Sequence, residues 1–253
     1  MKVTFLGTGT SQGVPVIGCH CEVCESLDFR DKRLRSSILI EVDGQHLVID
    51  SGPDFRQQML RERVEKLDAL LFTHEHKDHT AGMDDIRSFN FLQKKDMPIY
   101  GRKQVLEQLK QEFAYVFNQS KYPGIPQVAV HELKNEPFKI EQTSITPIEV
   151  LHYKLPVFGF RINDFAYITD MKTISPEEEK KLNGLDVLVI NALQKTAHVS
   201  HLTLKEAIDF AQKIGAKKTY FTHLSHKMGK QTDVEQELPE QVSIAYDGLK
   251  LAL

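Results

Sequence analysis

Short apolar runs alternate with polar turns along the chain and predict many β-strands. In the first half the runs fall at 2–6, 36–42, 45–50 and 68–73. In the second half they fall at 143–150, 157–162, 165–169, 185–190, 218–222 and 242–245. Asp43-Gly44 and Asn163-Asp164 separate neighbouring runs and are typical of tight hairpin turns. The pattern therefore predicts hairpins early in the chain and an alternation of strands and helices later.

Helical periodicity falls between these strands, at about 54–63, 102–117, 176–182 and 203–214. The last segment has a start signal in Thr203 with Glu206 three residues later, and a stop signal in Gly215. Strands interleaved with helices indicate mixed sheets covered by helices. With 253 residues, 41% of them hydrophobic, the chain can bury a large core. We therefore predict an α/β fold (α+β in some schemes) of αββα sandwich type, built as a single domain over residues 1–253.

One stretch, from Arg87 to Gln127, interrupts the rhythm of strands. It contains Pro123 and Pro126 and is rich in aromatic residues. The aromatic residues are Phe89, Phe91, Tyr100, Phe113, Tyr115, Phe117 and Tyr122. The stretch is either a lid or a homodimer surface, or an ordinary helix packed on the sandwich with a loop after it.

Composition and charge exclude several classes of protein. The formal net charge is −3, which leaves no basic surplus for sequence-independent binding to nucleic-acid phosphates and argues against a DNA scaffold role. The only basic run, Arg30, Lys32, Arg33 and Arg35, is expected to be solvated. The first residues resemble a strand rather than a signal peptide, and no apolar run approaches the ~20 residues that span a bilayer. We expect a cytoplasmic protein without a membrane segment.

Residues 74 to 79 read His-Glu-His-Lys-Asp-His and supply several metal-ligand side chains in one short run. On an extended segment His74 and His76 point the same way and can share one ion, while Asp78 and His79 point to a neighbouring position. Neutral imidazole and carboxylate together suit Zn, Mn or Fe, and a two-ion site requires a split ligand set of this kind. A solvated polar turn after a strand is the alternative interpretation. The run predicts a binuclear site.

Further ligand-type residues stand where predicted strands end. His152 follows Val150-Leu151, Asp170 follows Tyr167-Ile168-Thr169, and His223 follows Tyr220-Phe221-Thr222. Taken singly, these residues would more often be hydrogen-bonded structural residues or caps. Together with the run at 74–79, they complete the ligand set that two ions require.

This order of residues, with Asp50 after the apolar run at 47–49, resembles the metallo-β-lactamase superfamily over essentially the whole chain. The resemblance implies that His74, His76 and His152 hold one ion, that Asp78, His79 and His223 hold the other, and that Asp170 bridges them. It makes Asp50 a residue that orients ligands, whose loss typically costs ~10–100-fold in metal affinity or activity. Capping of the Ser51-Gly52 turn is the alternative role for Asp50. The sequence leaves the identity of the catalytic ions open between Mn, Zn and Fe.

All three cysteines lie in one loop as Cys19, Cys21 and Cys24. Three thiolates and one further ligand make a closed tetrahedral Zn site. His226, three residues after His223, is the best fourth ligand, and His20 is a competing one. The alternative is three reduced cysteines and a surface histidine. Together with the opening Phe5-Leu6-Gly7-Thr8-Gly9-Thr10-Ser11-Gln12-Gly13-Val14-Pro15, the loop is similar to that of the PhnP phosphodiesterase branch of the superfamily.

Two divalent ions lower the pKa of a shared water, and the resulting hydroxide can hydrolyse an ester at neutral pH. The alkoxide that leaves a phosphodiester also needs a proton. His201 lies just before the helix at 203 and resembles the His-x-Thr element of superfamily phosphodiesterases. We therefore take His201, with the ligand Asp78, as the catalytic residues. His198 is a weaker rival, and capping of the helix is the alternative role for His201.

The sequence thus predicts a metal-dependent phosphodiesterase for a small or cyclic, ribose- or nucleotide-like phosphate. A tRNA 3′-processing nuclease would share the ligands, but it needs an extended basic arm that is not evident here. A thioester or lactam hydrolase would not need His201 as an acid. From another class, the protein could be a metal-stabilised binding protein with an inactive site. The glycines at 7, 9 and 13 do not predict a dinucleotide loop, because Val14-Pro15 follows where a helix should begin.

Overall fold

The structure, a computed structural model, describes residues 1–118 and 124–253. The chain divides into two compact units. The first comprises Met1–Leu6, Ser37–Lys134 and Lys250–Leu253. The second comprises Gly7–Ser36 and Asn135–Leu249. Each unit is built on one β-sheet, and the prediction of a single domain stays a prediction.

The first unit contains a seven-stranded mixed sheet with the strand order β15-β1-β2-β3-β4-β5-β6. Its strands are β1 (Lys2–Gly7), β2 (Ser37–Val42), β3 (Gln45–Ile49), β4 (Ala69–Leu71), β5 (Met97–Gly101), β6 (Val128–Glu132) and β15 (Lys250–Ala252). The strands β2 and β3 form the predicted hairpin, and both turn residues, Asp43 and Gly44, have positive φ angles of 51° and 76°. Two successive positive φ angles match the right-handed twist of a hairpin.

Helices of the first unit follow the strands that carry ligand-type residues. They are α1 (Phe55–Glu62), α2 (Lys77–Thr80), a 3-10 helix (Met83–Ile86), α3 (Arg87–Gln93), α4 (Lys103–Glu112) and α5 (Ala114–Phe117). Phe55, Met59 and Phe89 from these helices pack with Val48 and Leu70 of the sheet in one buried cluster. This packing fixes the ends of β3 and β4, from which the histidine motif extends.

The stretch from Arg87 to Gln127 contains a strand, β5, that its sequence does not reveal. Pro98 argues against a strand here, because proline has no backbone N–H group to donate to the hydrogen-bond ladder. The structure tolerates Pro98 because β4 pairs with β5 only at Ile99 and Tyr100. The predicted helix at 102–117 is interrupted at Phe113, so it forms α4 and α5. Tyr122 and Pro123 lie outside the described residues, and the lid and dimer interpretations stay predictions.

The second unit contains an eight-stranded mixed sheet with the order β11-β8-β9-β10-β12-β13-β14, in which β7 pairs with β8. Its strands are β7 (Phe138–Ile140), β8 (Thr143–His152), β9 (Leu155–Ile162), β10 (Phe165–Ile168), β11 (Thr173–Ile174), β12 (Val187–Asn191), β13 (Lys218–Thr222) and β14 (Val242–Ile244). The strands β10, β12, β13 and β14 run parallel. Parallel strands place their carboxyl ends at one edge, where the residues after β10 and β13 meet.

Helices of the second unit cover its apolar core. They are a 3-10 helix (Phe29–Asp31), α6 (Pro176–Glu179), a 3-10 helix (Lys180–Leu182), α7 (Leu204–Ile214), a 3-10 helix (His226–Met228) and α8 (Gln231–Glu235). The predicted start of α7 is confirmed, because Thr203 and Glu206 form a capping box there. Its predicted end is confirmed as well, since Gly215 caps it with φ 68°. Its Leu204 and Ala207 pack into the buried cluster of this unit.

The expected solvated basic run is wrong for Arg33, whose side chain is buried in the second unit. Its guanidinium donates to Thr8 Oγ1 at 2.8 Å and to the Ala245 carbonyl at 2.7 Å. Burial lowers the pKa of Arg33 to about 10, against the opposing effect of Asp247 and other carboxylates. A charge buried in this way must be hydrogen-bonded, so Arg33 serves to fix the loop around Thr8.

Backbone amides of the glycine-rich loop after β1 are bound by carbonyl groups from other segments of the second unit. The amide of Gly9 donates to the Leu34 carbonyl at 2.7 Å, and the amide of Thr10 donates to the Leu224 carbonyl at 3.0 Å. A Cβ atom on Gly9 would lie 2.9 Å from the Arg33 carbonyl oxygen, which explains the glycine. These amides are occupied by protein acceptors, so they are not available as a phosphate cradle.

In the part of the chain that the structure describes, no helix is long and apolar enough to cross a membrane. The predicted cytoplasmic location stays a prediction.

Candidate metal centres

The histidine motif lies between β4 and α2 in the first unit. His76 has extended backbone angles and forms the N-cap of α2, so His74 and His76 precede the helix while Asp78 and His79 lie on it. His74 Nε2 lies 3.0 Å from His76 Nδ1. This spacing brings two ring nitrogens to one point, as the alternation in the sequence predicted.

Asp78 and His79 form the second half of the motif. A carboxylate oxygen of Asp78 lies 3.1 Å from Nε2 of the buried His79. The other ring nitrogen, Nδ1, lies 2.7 Å from Oδ2 of Asp50. Contact with a carboxylate at Nδ1 orients the ring so that Nε2 faces its other partners, which is how carboxylates position ligating histidines.

Asp50 is fully buried at the end of β3 and holds more than one part of the motif. It accepts hydrogen bonds from the Thr73 amide and the Thr73 hydroxyl, both at 2.8 Å. The same hydroxyl lies 2.9 Å from His74 Nδ1. Burial raises the pKa of Asp50, and the contacts with His79 and Thr73 oppose that rise. The sequence did not single out Thr73, although it directly precedes the motif.

Two polar contacts attach the segment α4–α5 to both sides of the ligand helix. Lys77 of α2 forms an ion pair with Glu112 at the end of α4. Tyr115 of α5 donates its hydroxyl to Asp84, just after the motif. Burial and the Asp84 carboxylate raise the pKa of Tyr115 to about 12. The first unit therefore fixes α4 and α5 against the motif.

In the second unit, four predicted site residues converge. Asp170 Oδ1 lies 3.3 Å from His223 Nε2 and 3.8 Å from His201 Nδ1. The rings of His152 and His201 have their centres 4.6 Å apart. One ligand atom from each of His152, Asp170 and His201 fits within 4.8 Å of the others. The structure thus brings together the residues that the sequence placed at separate strand ends and in the loop before α7.

Hydrogen bonds orient two of these residues. His152 Nδ1 lies 3.0 Å from the Ser200 carbonyl, which can only accept, so Nδ1 carries the proton and Nε2 has the free electron pair of a ligand. The Thr169 hydroxyl donates to Asp170 Oδ2 at 2.6 Å. The loop that carries His201 is in turn held by Lys172, whose Nζ lies 3.2 Å from the His201 carbonyl.

His201 is buried, and its ring is neutral at pH 7. Burial and the neighbouring His223 lower its pKa to about 3, against an opposing effect of Asp170. Its rival His198 lies further from Asp170 in the same loop, with ring centres 5.1 Å from His201. Burial also lowers the pKa of His198. The structure places His201, rather than His198, beside Asp170.

Three site residues share an uncommon backbone conformation. Asp50, Asp170 and His223 have φ angles of 65°, 57° and 58°, and each follows the last residue of a strand by one or two positions. A residue with a side chain in this left-handed region costs on the order of 1–3 kcal/mol and is found where function requires it. The reversal turns each side chain out of the strand direction at the sheet edge.

The cysteine loop forms a separate centre within the second unit. The sulfur atoms of Cys19, Cys21 and Cys24 lie 3.2, 3.4 and 3.6 Å from His226 Nδ1. A tetrahedral Zn with bonds of about 2.3 Å to sulfur and 2.0 Å to nitrogen separates these ligands by roughly 3.5 Å. The donor set and its spacing therefore fit a structural Zn ion.

His20, the competing fourth ligand, is not part of this cluster. Its ring is exposed and lies 2.9 Å from the Glu25 carboxylate. His20 lies between Cys19 and Cys21 in the sequence. Because the sulfur atoms of both cysteines face His226, the His20 side chain between them points away from the cluster. The thiols differ in environment: a backbone hydrogen bond in the Cys24 region lowers the pKa of Cys21 to about 6, whereas burial raises the pKa of Cys24 to about 11.

The donor sets of both units suit divalent ions. Imidazoles and carboxylates at His74, His76, Asp78 and His79, and again at His152, Asp170 and His223, are the ligands that Zn, Mn and Fe share. The close approach of ring nitrogens, such as 3.0 Å between His74 Nε2 and His76 Nδ1, is natural for ligands that point at one cation. The ligand assignment itself stays a prediction.

Comparison with known proteins identifies relatives over the whole chain. A family model described as the β-lactamase superfamily domain matches residues 45–224. A protein of Porphyromonas gingivalis named octanoyltransferase is 40% identical over 253 residues, which are 99% of this chain and 51% of that protein. The chain therefore spans about half the length of this curated relative.

Solved structures agree with the family match. A crystal structure described as a new diphosphatase from the PhnP family has a TM-score of 0.93 and 38% identity, covering 100% of this chain and 97% of that one. Zn²⁺-bound PqqB from Methylobacterium extorquens has a TM-score of 0.78 and 20% identity, covering both chains completely, and shows likeness of fold alone. The α/β fold of two mixed sheets flanked by helices, predicted from the sequence, is confirmed. The chain belongs to the metallo-β-lactamase superfamily, in which it is a PhnP-like hydrolase whose fold implies divalent metal ions.

Proposed function

We propose that this hydrolase cleaves a phosphodiester bond in a small molecule, with a cyclic ribose- or nucleotide-like phosphate as the substrate class. The observation that carries the proposal is the position of His201, whose Nδ1 lies 3.8 Å from Asp170 Oδ1. A lactam or thioester hydrolase needs no proton donor at this place. A phosphodiesterase does, because an alkoxide is a poor leaving group.

The proposal keeps the ligand assignment implied by the family resemblance. In this assignment His74, His76 and His152 would hold one ion, Asp78, His79 and His223 would hold the other, and Asp170 would contribute to both. When bound, two divalent ions supply an activated water and polarise the phosphoryl oxygens. A Zn ion held by the three cysteines and His226 would have no open position, so the cysteine loop would take no part in the reaction.

The side chains have separate tasks. Asp50 and Thr73 hold the histidine motif in place, and the Ser200 carbonyl keeps His152 in the tautomer that presents Nε2. His201 holds the proton that the leaving oxygen takes up. Its ring is neutral without substrate, because burial and His223 lower its pKa, and the negative charge of a bound phosphate favours the protonated ring.

A second candidate is a diphosphate bond, which the solved relative with 38% identity suggests by its description as a diphosphatase. A diphosphate and a phosphodiester present the same phosphoryl group to the ions. They differ in the leaving group, since a phosphate leaves more easily than an alkoxide and depends less on His201. The leaving group therefore separates the two candidates.

Octanoyl transfer is the activity in the name of the curated relative, but this chain offers little support for it. The relative is about twice as long, so its activity need not lie in the matched half. All three cysteines of this chain lie in one cluster with His226, where they fit a Zn ion rather than a free nucleophile. We propose that the chain does not carry an acyl group on a cysteine.

The test is a substrate panel on one batch of purified protein of known metal content, apo and after addition of Mn or Zn. The panel holds bis(p-nitrophenyl) phosphate, a 2′,3′-cyclic nucleotide, a nucleoside diphosphate, a precursor tRNA and an octanoyl thioester. Turnover of the diester and the cyclic phosphate supports the proposal, and preferred turnover of the diphosphate replaces it with the second candidate. Cleavage of the precursor tRNA or the thioester alone would identify the matching alternative. No turnover with the ions bound would indicate a binding protein.

A further inference from the structure

A groove of about 380 Å³ opens on the surface of the first unit between α1 and α3. Its apolar lining is Phe55, Met59, Leu60, Val64, Phe89 and Leu92. Phe55, Met59 and Phe89 form the floor and belong to the buried core. The groove is thus a place where the core of this unit reaches the surface.

The rim of the groove is apolar and exposed. Leu60 of α1 is 62% exposed, and Leu92 of α3 is 68% exposed. Single exposed apolar side chains are ordinary, but a contiguous set around an apolar groove is typical of an interaction site. Burial of these apolar side chains against a partner would be more favourable than their exposure to water.

The groove also carries charges of both signs. Arg56 projects from α1, and Asp85 precedes α3 on the opposite side. Neither side chain forms a hydrogen bond or an ion pair with another residue that the structure describes. Burial and the neighbouring Asp84 raise the pKa of Asp85, with Arg56 opposing the rise, so a further cation near Asp85 would be favourable.

We infer that this groove is the contact surface of a two-fold homodimer, in which Leu60 and Leu92 of each copy cover the groove of the other and Arg56 pairs with Asp85 of the partner subunit. A two-fold contact brings the same patch together twice, so each patch must be complementary to itself. The lining carries two cations, Arg56 and Arg63, and two anions, Glu65 and Asp85, beside its apolar centre, so it meets this condition. A basic or acidic partner would instead match a patch of a single sign.

The inference does not depend on the substrate, since no residue of the groove belongs to the ligand sets. It refines the dimer interpretation of the stretch from Arg87 to Gln127, because only its first helix, α3, takes part. The other element is α1, for which no sequence pattern predicts a role in a dimer.

Charge reversal tests the pairing directly, with the oligomeric state measured by light scattering after size exclusion. The wild type is expected as a dimer, and Arg56→Glu and Asp85→Arg each as a monomer, because each creates two like-charged contacts. An equimolar mixture of the two variants restores both opposite-charge contacts and is expected to give a mixed dimer. Lys94→Glu, at the end of α3 but outside the groove, is the matched control and stays a dimer.

Three outcomes would overturn the inference. They are a monomeric wild type, single variants that remain dimeric, and a mixture of the two variants that stays monomeric although each variant is folded by circular dichroism. If either single variant does not fold, Leu92→Asp replaces it, with the expectation of a folded monomer. A dimeric Leu92→Asp variant would contradict the inference as well.

Discussion

The imidazole rings of His201 and His223 lie stacked, with centres 4.9 Å apart and an angle of 23° between their planes. Asp170 faces both rings, but it lies closer to His223, at 3.3 Å, than to His201, at 3.8 Å. His223 follows a strand, whereas His201 lies in the loop before α7. This difference suits the two proposed roles: His223, held at the end of a strand, as a ligand, and His201, held by a loop, as the proton donor beside it.

Replacement of His201 by alanine should therefore impair turnover without removing metal. We expect a loss of ~10²–10⁴-fold in kcat for an alkyl or cyclic phosphodiester, the range for a missing general acid. The loss should be much smaller for a p-nitrophenyl ester, whose leaving group is stable without a proton. Steady-state kinetics on both substrates measures the difference.

His198→Ala is the matched control, because it removes the neighbouring ring from the same loop. It should retain most activity on both substrates. Metal analysis of both variants distinguishes the roles further. A loss of one bound ion in His201→Ala would mean that His201 is a ligand, as its grouping with His152 and Asp170 would allow.

The stability of the protein should depend on pH through Glu206, which contacts Lys172 and so supports the loop that carries His201. Burial acts to raise the pKa of Glu206, but Lys172 and Thr203 outweigh it and lower the pKa below its usual value. The contribution of Glu206 to stability is therefore present above its unfolded-state pKa of about 4.3 and is lost as pH falls through the lower folded-state pKa. Glu206→Gln should thus be less stable than the wild type at pH 7 and closer to it at pH 3.

Urea unfolding at the two pH values measures this difference. Asp209→Asn, which removes a carboxylate from the exposed face of the same helix, controls for the loss of a surface charge. An equal gap between wild type and Glu206→Gln at both pH values would contradict the argument.

Local spacing in the sequence is enough to select most of the residues that the structure brings together in the candidate centres. The motif at 74–79 and the cysteine loop are short, and their side chains meet because few backbone angles separate them. His152, Asp170 and His223 were found for another reason: each follows an apolar run, and parallel strands such as β10 and β13 end at the same edge of the sheet. The family resemblance added the assignment of individual ligands to ions.

Other features depend on contacts that spacing does not encode. Pro98 is tolerated in β5 because it lies beyond the pairing with β4 and is aligned only with Ala129 of β6, which the register alone reveals. Arg33 is buried because Thr8 and Ala245, far away in the sequence, supply acceptors. The role of Thr73 depends on its hydrogen bonds to Asp50, which lies more than twenty positions earlier. A threonine next to a histidine in the sequence does not by itself predict this role.

Thr73→Val should show how much the motif depends on that hydroxyl. Valine keeps the shape of the side chain but leaves the buried carboxylate of Asp50 with one hydrogen bond fewer, which costs about 1–3 kcal/mol of stability. Affinity for the catalytic ions should fall ~10–100-fold, as for other groups that orient ligands. Metal titration of the apo protein, together with thermal unfolding, measures both effects.

Thr219→Val is the matched control for this substitution. The Thr219 hydroxyl is buried and has no hydrogen-bond partner among the described residues, so its loss should leave both stability and metal affinity close to those of the wild type. Equal effects of the two substitutions would show that the Thr73 hydroxyl has no special role.

Removal of the cysteine-loop ligands should separate the structural Zn from the catalytic ions. His226→Ala and Cys24→Ser each break a donor set whose members lie within 3.6 Å of His226 Nδ1, so each should lose one equivalent of Zn and unfold at a lower temperature, since binding of a structural Zn contributes directly to folding. His20→Ala removes an exposed histidine from the same loop and should change neither quantity. Elemental analysis and thermal unfolding decide between His226 and His20 as the fourth ligand. Loss of Zn in His20→Ala but not in His226→Ala would reverse the assignment, and unchanged Zn in all three variants would show that the loop holds no ion.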